Sequence, residues 1–277
     1  MQLKEKVNEI NLSKQELAKL EEENSNLQKE LEILEEDNKK SEEEIEKIRK
    51  QMDKLKQSNP EWENILNAKG DKIAYLTFDD GPSSNTIKVL DFLKANNIKA
   101  TFFVIFHPDS DDIYRRIVDE GHTLAVHSMT HNYSKIYRNP NAFMRDIEEL
   151  TSHLVKVTGV KPNVFRFPGG SNNSISIRYG GRNLMNQVIP KVEEMGYTYF
   201  DWNVDSRDAE KNLQSKEIIV QSVLEGSKNK TNAIILMHDA AAKTTTVEAL
   251  PEIIEGLRAQ GFLFEKLTPD SPLVQFQ

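Results

Sequence analysis

Apolar positions follow two regimes along this chain, and the change falls near residue 57. Before it they recur at heptad spacing. Position a holds Leu3, Ile10, Leu17, Asn24, Leu31, Asn38, Ile45 and Met52, and position d holds Lys6, Ser13, Leu20, Leu27, Leu34, Ser41, Ile48 and Leu55. Eleven of these sixteen are apolar, and a seam sustained over eight heptads predicts a coiled-coil helix over 1–57. Asparagine at an a position is a device that selects two strands and one register. The flanking charges divide. In a parallel homodimer Glu9 with Lys14 and Glu44 with Arg49 attract, whereas Glu16 with Glu21, Glu30 with Glu35 and Asp37 with Glu42 repel. A weak homodimer, a hetero-partner and a solitary charged spacer helix all satisfy that pattern. Pro60 and Gly70 then punctuate the stretch QSNPEWENILNAKGD, so 58–71 reads as a linker.

From Lys72 the apolar positions gather into short runs separated by helical stretches. The runs predict strands at 72–78, 99–106, 122–127, 164–167, 197–202, 233–238 and 262–267, and the stretches predict helices at 85–97, 112–121 and 141–159. Alternation of strand and helix implies an α/β domain over 72–277, with a parallel sheet and helices outside it. Seven strands suit either a barrel or an open doubly wound sheet. Both collect function at the carboxyl ends of their strands.

Composition narrows the field. Hydrophobic residues make up 38% and charged residues 29% of 277, and the mean hydropathy is −0.59. The first 57 residues contain no Gly, Pro, Phe, Tyr or Trp and account for much of that polarity. A net charge of −8 argues against non-specific nucleic-acid binding, which needs a basic face. The absence of cysteine excludes disulfides and thiolate metal sites. No run of about 20 apolar residues offers a membrane helix, and no basic-then-apolar leader opens the chain. The heptads begin almost at Met1, as they would at a true start or after removal of a signal or anchor.

The candidate chemistry sits where the strands are expected to end. Asp79 and Asp80 close the first run, in TFDDGP. His127 closes the third, in HSMTH, and Arg166 closes the fourth, in FRFPGG. Asp201, Asp205 and Asp208 belong to DWNVDSRD, and His238, followed by Asp239, closes AIILMH. Each alone is weak; their shared placement carries the argument. His127 and His131 stand four apart, which would bring both imidazoles to one side of a helical turn as in zinc sites. By itself that spacing also suits two surface histidines. With one carboxylate added, it supplies three ligands and leaves a fourth position for water, the open form of a catalytic site. If Asp80 binds the cation, its charge is neutralised and Asp79 remains free as a general base. Ligand type allows zinc first, and cobalt, nickel or manganese besides. His238 is the natural candidate for the acid that protonates a leaving group, with an aspartate on its other nitrogen to fix the tautomer and keep it charged.

Taken in order, TFDDGP, HSMTH, RFP, a WxxDSxD stretch and LMH resemble the polysaccharide deacetylases of carbohydrate esterase family 4. The resemblance covers about 70–268. It implies a deformed (β/α) barrel of about seven strands and metal-dependent removal of acetyl groups from sugar polymers. It also implies roles: Asp79 as base, Asp80, His127 and His131 as metal ligands, Arg166 holding Asp79, His238 as acid and Asp208 as its partner. Leu236 would line the acetyl pocket, the backbone N–H of Gly169, next to Pro168, would serve as an oxyanion donor, and Trp202 would form a groove wall. Tyr133 and Tyr179 are candidates for stacking on sugar rings. His107, His122 and His153 match no ligand position. One departure stands out. Many members carry tryptophan directly after the aspartate matched by Asp208, and this chain has Ala209. A more open groove and a less buried Asp208 are therefore expected, with Asp205 a rival partner for His238. The polar segment 171–183 is expected to be a loop that shapes substrate choice.

The resemblance implies a cell-surface or secreted enzyme acting on N-acetylglucosamine of peptidoglycan, with any signal or membrane anchor outside this chain. Chitin oligomers and xylan are the alternative substrates. A non-catalytic glycan-binding scaffold with a coiled coil is the competing class, and the filled base, ligand and acid positions argue against it.

Overall fold

The computed structural model of this protein describes residues 72–276, together with 17, 19, 24, 26–29, 31, 34–48, 50, 51 and 54. The chain divides into two compact units, Met1–Ala68 and Lys69–Gln277.

Every described residue of the first unit is helical, with 34–48 continuous. Exposed pairs spaced i, i+4, such as Lys40 with Glu36 at 3.0 Å, decorate it and contribute only a few tenths of a kcal/mol each, about 0.3–0.5. Leu17, Leu27, Leu31, Leu34, Ile45 and Ile48 all occupy a or d positions, and all are 51–65% exposed. The remaining apolar heptad positions, Leu3, Ile10, Leu20, Met52 and Leu55, and the expected linker lie outside the described residues.

In the second unit the chain runs through β1 (Lys72–Asp79), α1 (Ser84–Ala95), β2 (Thr101–Ile105), α2 (Asp111–Asp119) and β3 (Thr123–Ser128). It continues through α3 (Tyr133–Ile136), α4 (Pro140–Thr158), β4 (Val164–Phe165), α5 (Ile175–Gly180), α6 (Leu184–Glu194) and β5 (Thr198–Tyr199). It closes with β6 (Val204–Asp205), α7 (Lys216–Ser227), β7 (Asn232–His238), α8 (Thr244–Ala259) and β8 (Phe262–Glu265). The sheet order is β5-β4-β3-β2-β1-β7-β6, with β8 also paired to β1. Every pairing is parallel. The sheet curls into the deformed, half-closed barrel that the resemblance implies, with β5 and β6 at its two edges.

Period-two alternation separates two cores. From β1, Ala74, Leu76 and Phe78 join the large cluster that packs the outside of the sheet against the helices. Tyr75 faces the other way. It meets Phe103, Ala125, Val164, Phe200, Ile234 and Leu267 in a second cluster on the inner face. Both faces are buried, so the strands read in sequence as continuous apolar runs.

Local rules explain the longest helix. Asn139 accepts from the Ala142 N–H at 2.9 Å, Pro140 takes the first turn, and Gly159 closes the helix at φ 73. Phe143, Ile147, Leu150 and Leu154 form its buried face, and Asp146 is buried beside them.

Three expectations need correction. The fourth and fifth runs make only two-residue strands, and the two-residue β6 is an addition to the expected set. Such short pairings carry no periodic signal. The segment 171–183 contains the helix α5. Asn173 explains it: its side chain accepts from the Ser176 N–H at 2.8 Å and donates to Gly170 O at 2.7 Å.

Candidate active site

Register sets the centre of the site. Asp79 lies opposite His238 at the carboxyl ends of β1 and β7, and both follow the inner-face alternation begun by Tyr75 and Ile234. On β3, His127 follows Ala125 on the same face. Arg166 follows β4, where Val164 also points inward.

Arg166 is fully buried, a costly place for a charge unless every donor is used. Its Nη1 donates to Asp79 Oδ1 at 2.8 Å and to Thr77 Oγ1 at 2.7 Å. Its Nε donates to Phe200 O at 3.0 Å and its Nη2 to Asp201 O at 2.9 Å. The guanidinium lies 4.0 Å from the centroid of the Phe103 ring. Asp79 therefore presents one oxygen to a fixed cation and leaves the other uncommitted.

Asp80 follows in a left-handed conformation, φ 69, which residues with a Cβ seldom adopt. Its Oδ1 lies 3.5 Å from His127 Nε2 and 3.3 Å from His131 Nε2. That oxygen is buried without a hydrogen-bond partner. Burial works against its charge, but His127, His131 and His238 outweigh that and hold the carboxyl below its usual range. The ring Nδ1 of His127 is 2.8 Å from Arg166 O. A carbonyl only accepts, so Nδ1 carries the proton and Nε2 offers its lone pair toward Asp80, the orientation that metal-binding histidines use. Burial, partly opposed by Asp79 and Asp80, lowers the pKa of His127 and favours the neutral ring. One ligand atom from each of the three residues lies within 4.8 Å of the others. The residues present therefore fit a divalent cation.

His127 and His131 do not share a helical turn. His127 is the last residue but one of β3, and the chain then bends, placing His131 at φ 46. Asp146 on α4 builds that bend. Its carboxylate accepts from Ser128 Oγ at 2.7 Å, Met129 N at 2.8 Å, Thr130 N at 3.2 Å and Thr130 Oγ1 at 2.9 Å. Nothing in the motif names Asp146; the available signal was an aspartate on the apolar face of a long helix.

On the other side His238 Nδ1 is 2.7 Å from Asp208 Oδ1, and the His238 N–H donates to Asp208 Oδ2 at 2.7 Å. Thr246 Oγ1 donates to Asp208 Oδ2 at 2.9 Å. Asp208 is 1% exposed, contrary to the expectation from Ala209; these three bonds repay its burial. Asp205 is exposed and accepts instead from the Arg207 N–H. Burial opposes protonation of His238, but the bond and charge of Asp208, with smaller contributions from Asp79 and Asp80, push its pKa up to about 9.

The remaining candidates line the surroundings. Leu236 precedes His238 on the inner face of β7 and is buried, and Trp202 is half-buried. Pro168 O accepts from Tyr137 Oη at 2.7 Å. Gly169 and Gly170 follow at φ 80 and φ 86, where glycine carries no steric penalty. The Gly169 N–H donates to no protein group among the described residues. Tyr133 packs 5.1 Å from the His131 ring, whereas Tyr179 is 40% exposed. His122 is buried and accepts from the Ala100 N–H; His153 meets Asp111 at 2.9 Å; neither joins the site. Asp239, unassigned by the motif, is buried beside it. Burial pushes its pKa up to about 7, against the hydrogen bond from Thr86. A Cβ at Gly81 would collide with its carboxylate, which gives the glycine of TFDDGP a packing reason.

Known proteins resemble this chain in sequence and fold. The polysaccharide deacetylase family profile matches residues 66–200. The peptidoglycan-N-acetylglucosamine deacetylase of Bacillus cereus is 35% identical over 212 residues, covering 74% of this chain and 73% of that protein. The chain belongs to the polysaccharide deacetylase family. The crystal structure of the catalytic domain of a peptidoglycan N-acetylglucosamine deacetylase from Eubacterium rectale superposes with a TM-score of 0.72 at 40% identity, covering 75% of this chain and 94% of that one. A bifunctional xylanase/deacetylase of Pseudobutyrivibrio xylanivorans is 36% identical over 210 residues, 75% of this chain and 32% of that protein. The chain is thus a hydrolase that removes acetyl groups from a polysaccharide, in a family that depends on a metal.

Proposed function

We propose that the substrate is N-acetylglucosamine of peptidoglycan, that zinc is the metal, and that the enzyme works outside the cytoplasm. The Asp80, His127 and His131 cluster carries the reading, flanked by a carboxylate held by arginine and a histidine held by aspartate. Similarity to two proteins named for peptidoglycan N-acetylglucosamine supports the substrate. A cation on those three side chains supplies Lewis-acid polarisation of the acetyl carbonyl and lowers the pKa of a water toward about 7.

This chain's own residues do the rest. Asp79, through the oxygen that Arg166 leaves free, takes the proton from the attacking water. The Gly169 N–H donates to the carbonyl oxygen as charge builds on it. His238 Nε2–H protonates the amide nitrogen, the C–N bond breaks, and acetate and a free amine leave. Asp208 keeps His238 charged until then. Leu236 and Trp202 border the space for the acetyl group and sugar. Residues 1–57 act as a coiled coil through the exposed seam, pairing with a second copy or another chain, and 58–71 join it to the catalytic domain.

The test is acetate release from purified peptidoglycan, with and without chelator, and after restoring zinc or cobalt. Chelator-sensitive release is expected. Release only from acetylated xylan would favour the second reading, which the likeness to the bifunctional xylanase/deacetylase supports. Failure on every acetylated glycan would leave the binding scaffold.

A further inference from the structure

The inner face of the sheet is completed by a segment that belongs to no strand. The edge strands β5 and β6 do not pair with one another. At that edge the Asp201 N–H donates to Val274 O at 2.8 Å, and Gln275 Nε2 donates to Tyr199 O at 3.1 Å. Val274 packs against the inner core cluster. The 274–276 segment thus satisfies backbone groups that an open edge would leave to water.

Its last described residue reaches the glycine loop. The Phe276 ring stands edge-on to Trp202, with centroids 4.9 Å apart at 79°. A Cβ on Gly170 would lie 3.1 Å from the Phe276 ring and 3.2 Å from Trp202. The bare backbone of Gly170 is therefore packed against two aromatic rings on the side where a Cβ would project.

One carboxylate joins these parts. Asp201 is fully buried. It accepts from Ser171 N at 2.9 Å, Ser171 Oγ at 2.5 Å and Phe276 N at 2.7 Å. Ser171 Oγ also lies 3.3 Å from Phe276 O. The Asp201 carbonyl meanwhile accepts from Arg166, which holds Asp79. Two consecutive positive-φ glycines make a permissive loop; Tyr137 and Asn173 hold the carbonyls of Pro168 and Gly170 from one side, and Asp201 and Phe276 restrict the loop from the other.

We propose that 274–276 position the Gly169 N–H for catalysis, with Phe276 as the clamp and Asp201 as the joint between tail and loop. This rests on the reading of Gly169 as the donor to the reacting carbonyl. Phe276 touches no reacting atom and acts through the loop, so its removal should weaken the transition state rather than substrate binding.

The test uses the full chain with Phe276→Ala, Phe276→Tyr and Ser171→Ala. Phe276→Ala is expected to lower kcat on an N-acetylglucosamine oligomer about tenfold, a fraction of the 10²–10³ that loss of an oxyanion donor costs. KM should stay within about twofold and metal content unchanged, and Phe276→Tyr should restore kcat. Amide hydrogen exchange at Ser171 should quicken in Phe276→Ala. Combining Phe276→Ala with Ser171→Ala should cost less than the product of the single effects, because both act through one joint. Unchanged kcat, a rise in KM alone, or unaltered exchange at Ser171 would overturn the proposal. If the unsubstituted chain releases no acetate from any glycan, the functional reading fails, and the exchange measurement still decides the clamp.

Discussion

Replacing Asp208 by Asn removes a charge and keeps the shape of a hydrogen-bond acceptor beside His238. The contact is 2.7 Å, with His238 pushed up to about 9. Without the carboxylate, burial opposes only the smaller pull of Asp79 and Asp80, and the ring should titrate near its ordinary value of about 6.5. At pH 8 a group with a pKa of about 9 is roughly 90% protonated, and one of about 6.5 roughly 3%, a loss of about 30-fold in the acid form. At pH 5.5 both are largely protonated, so the Asp208→Asn enzyme should recover most of its rate there. The first assay is an NMR titration of the His238 Cε1–H in metal-free protein, because cation binding neutralises Asp80 and draws the alkaline limb of activity below 9. The second is acetate release against pH. Stability must follow the same sign. The folded pKa is raised, so the ion pair's contribution is whole below about 6.5 and disappears as pH rises through about 9. A shift of that size corresponds to about 3 kcal/mol. Metal-free wild type should therefore lose more Tm over that window than Asp208→Asn does. A variant whose His238 still titrates near 9 would refute this account.

Three other perturbations test other parts. His127→Ala or Asp80→Ala should remove metal and activity together without unfolding the domain; elemental analysis decides, and tightly held zinc in either variant would sink the ligand assignment. Asp146→Ala releases four contacts in the turn between the histidines, so metal affinity should fall about 10- to 100-fold, as losses behind metal ligands do; isothermal titration with zinc checks it, and unchanged affinity would leave the turn self-supporting. Light scattering on the full chain and on residues 60–277 should give different stoichiometries, and equal values would remove the coiled-coil dimer.

The site was more legible in the sequence than the connections that hold it. Parallel strands end at one side of a sheet, so TFDD, HSMTH and LMH could be brought together from apolar runs alone. Inner-face alternation also predicts Asp79, His127 and His238 once the strand ends are fixed. The turn between the histidines is misread by pattern because i, i+4 spacing describes a helix, whereas here a buried aspartate from another element folds the chain. Asp146 and Asp201 share that character. Each is a polar residue within apolar surroundings whose partners lie far away along the chain, such as Phe276 for Asp201. Local pattern carries no trace of a contact 75 residues away. Glycine was a better guide: Gly81 faces Asp239, and Gly170 faces Phe276 and Trp202.

The adjacent carboxylates Asp79 and Asp80 look at first like a conflict, and the backbone resolves it. Asp79 ends a regular strand and points to the inner face, toward Arg166. Asp80, one residue later and left-handed, turns to the two histidines. Neighbours in sequence thereby meet different partners. If Asp80 continued the strand, its side chain would face the outer core with Phe78, and the proposed ligand set would lose its carboxylate. The strain at φ 69 is the local cost of that turn, and such outliers are expected where function over-determines the backbone. Arg166 limits what can change on the other side. Its removal would leave Asp79 buried and unpaired, a defect that costs about 3–5 kcal/mol in comparable cases. Lysine keeps the charge but offers no planar fork to reach Asp79, Thr77 and two carbonyls together. The same side chain that holds Asp79, the proposed base, therefore also binds β1 to the turn beyond β5, and on that reading catalysis and fold share one residue.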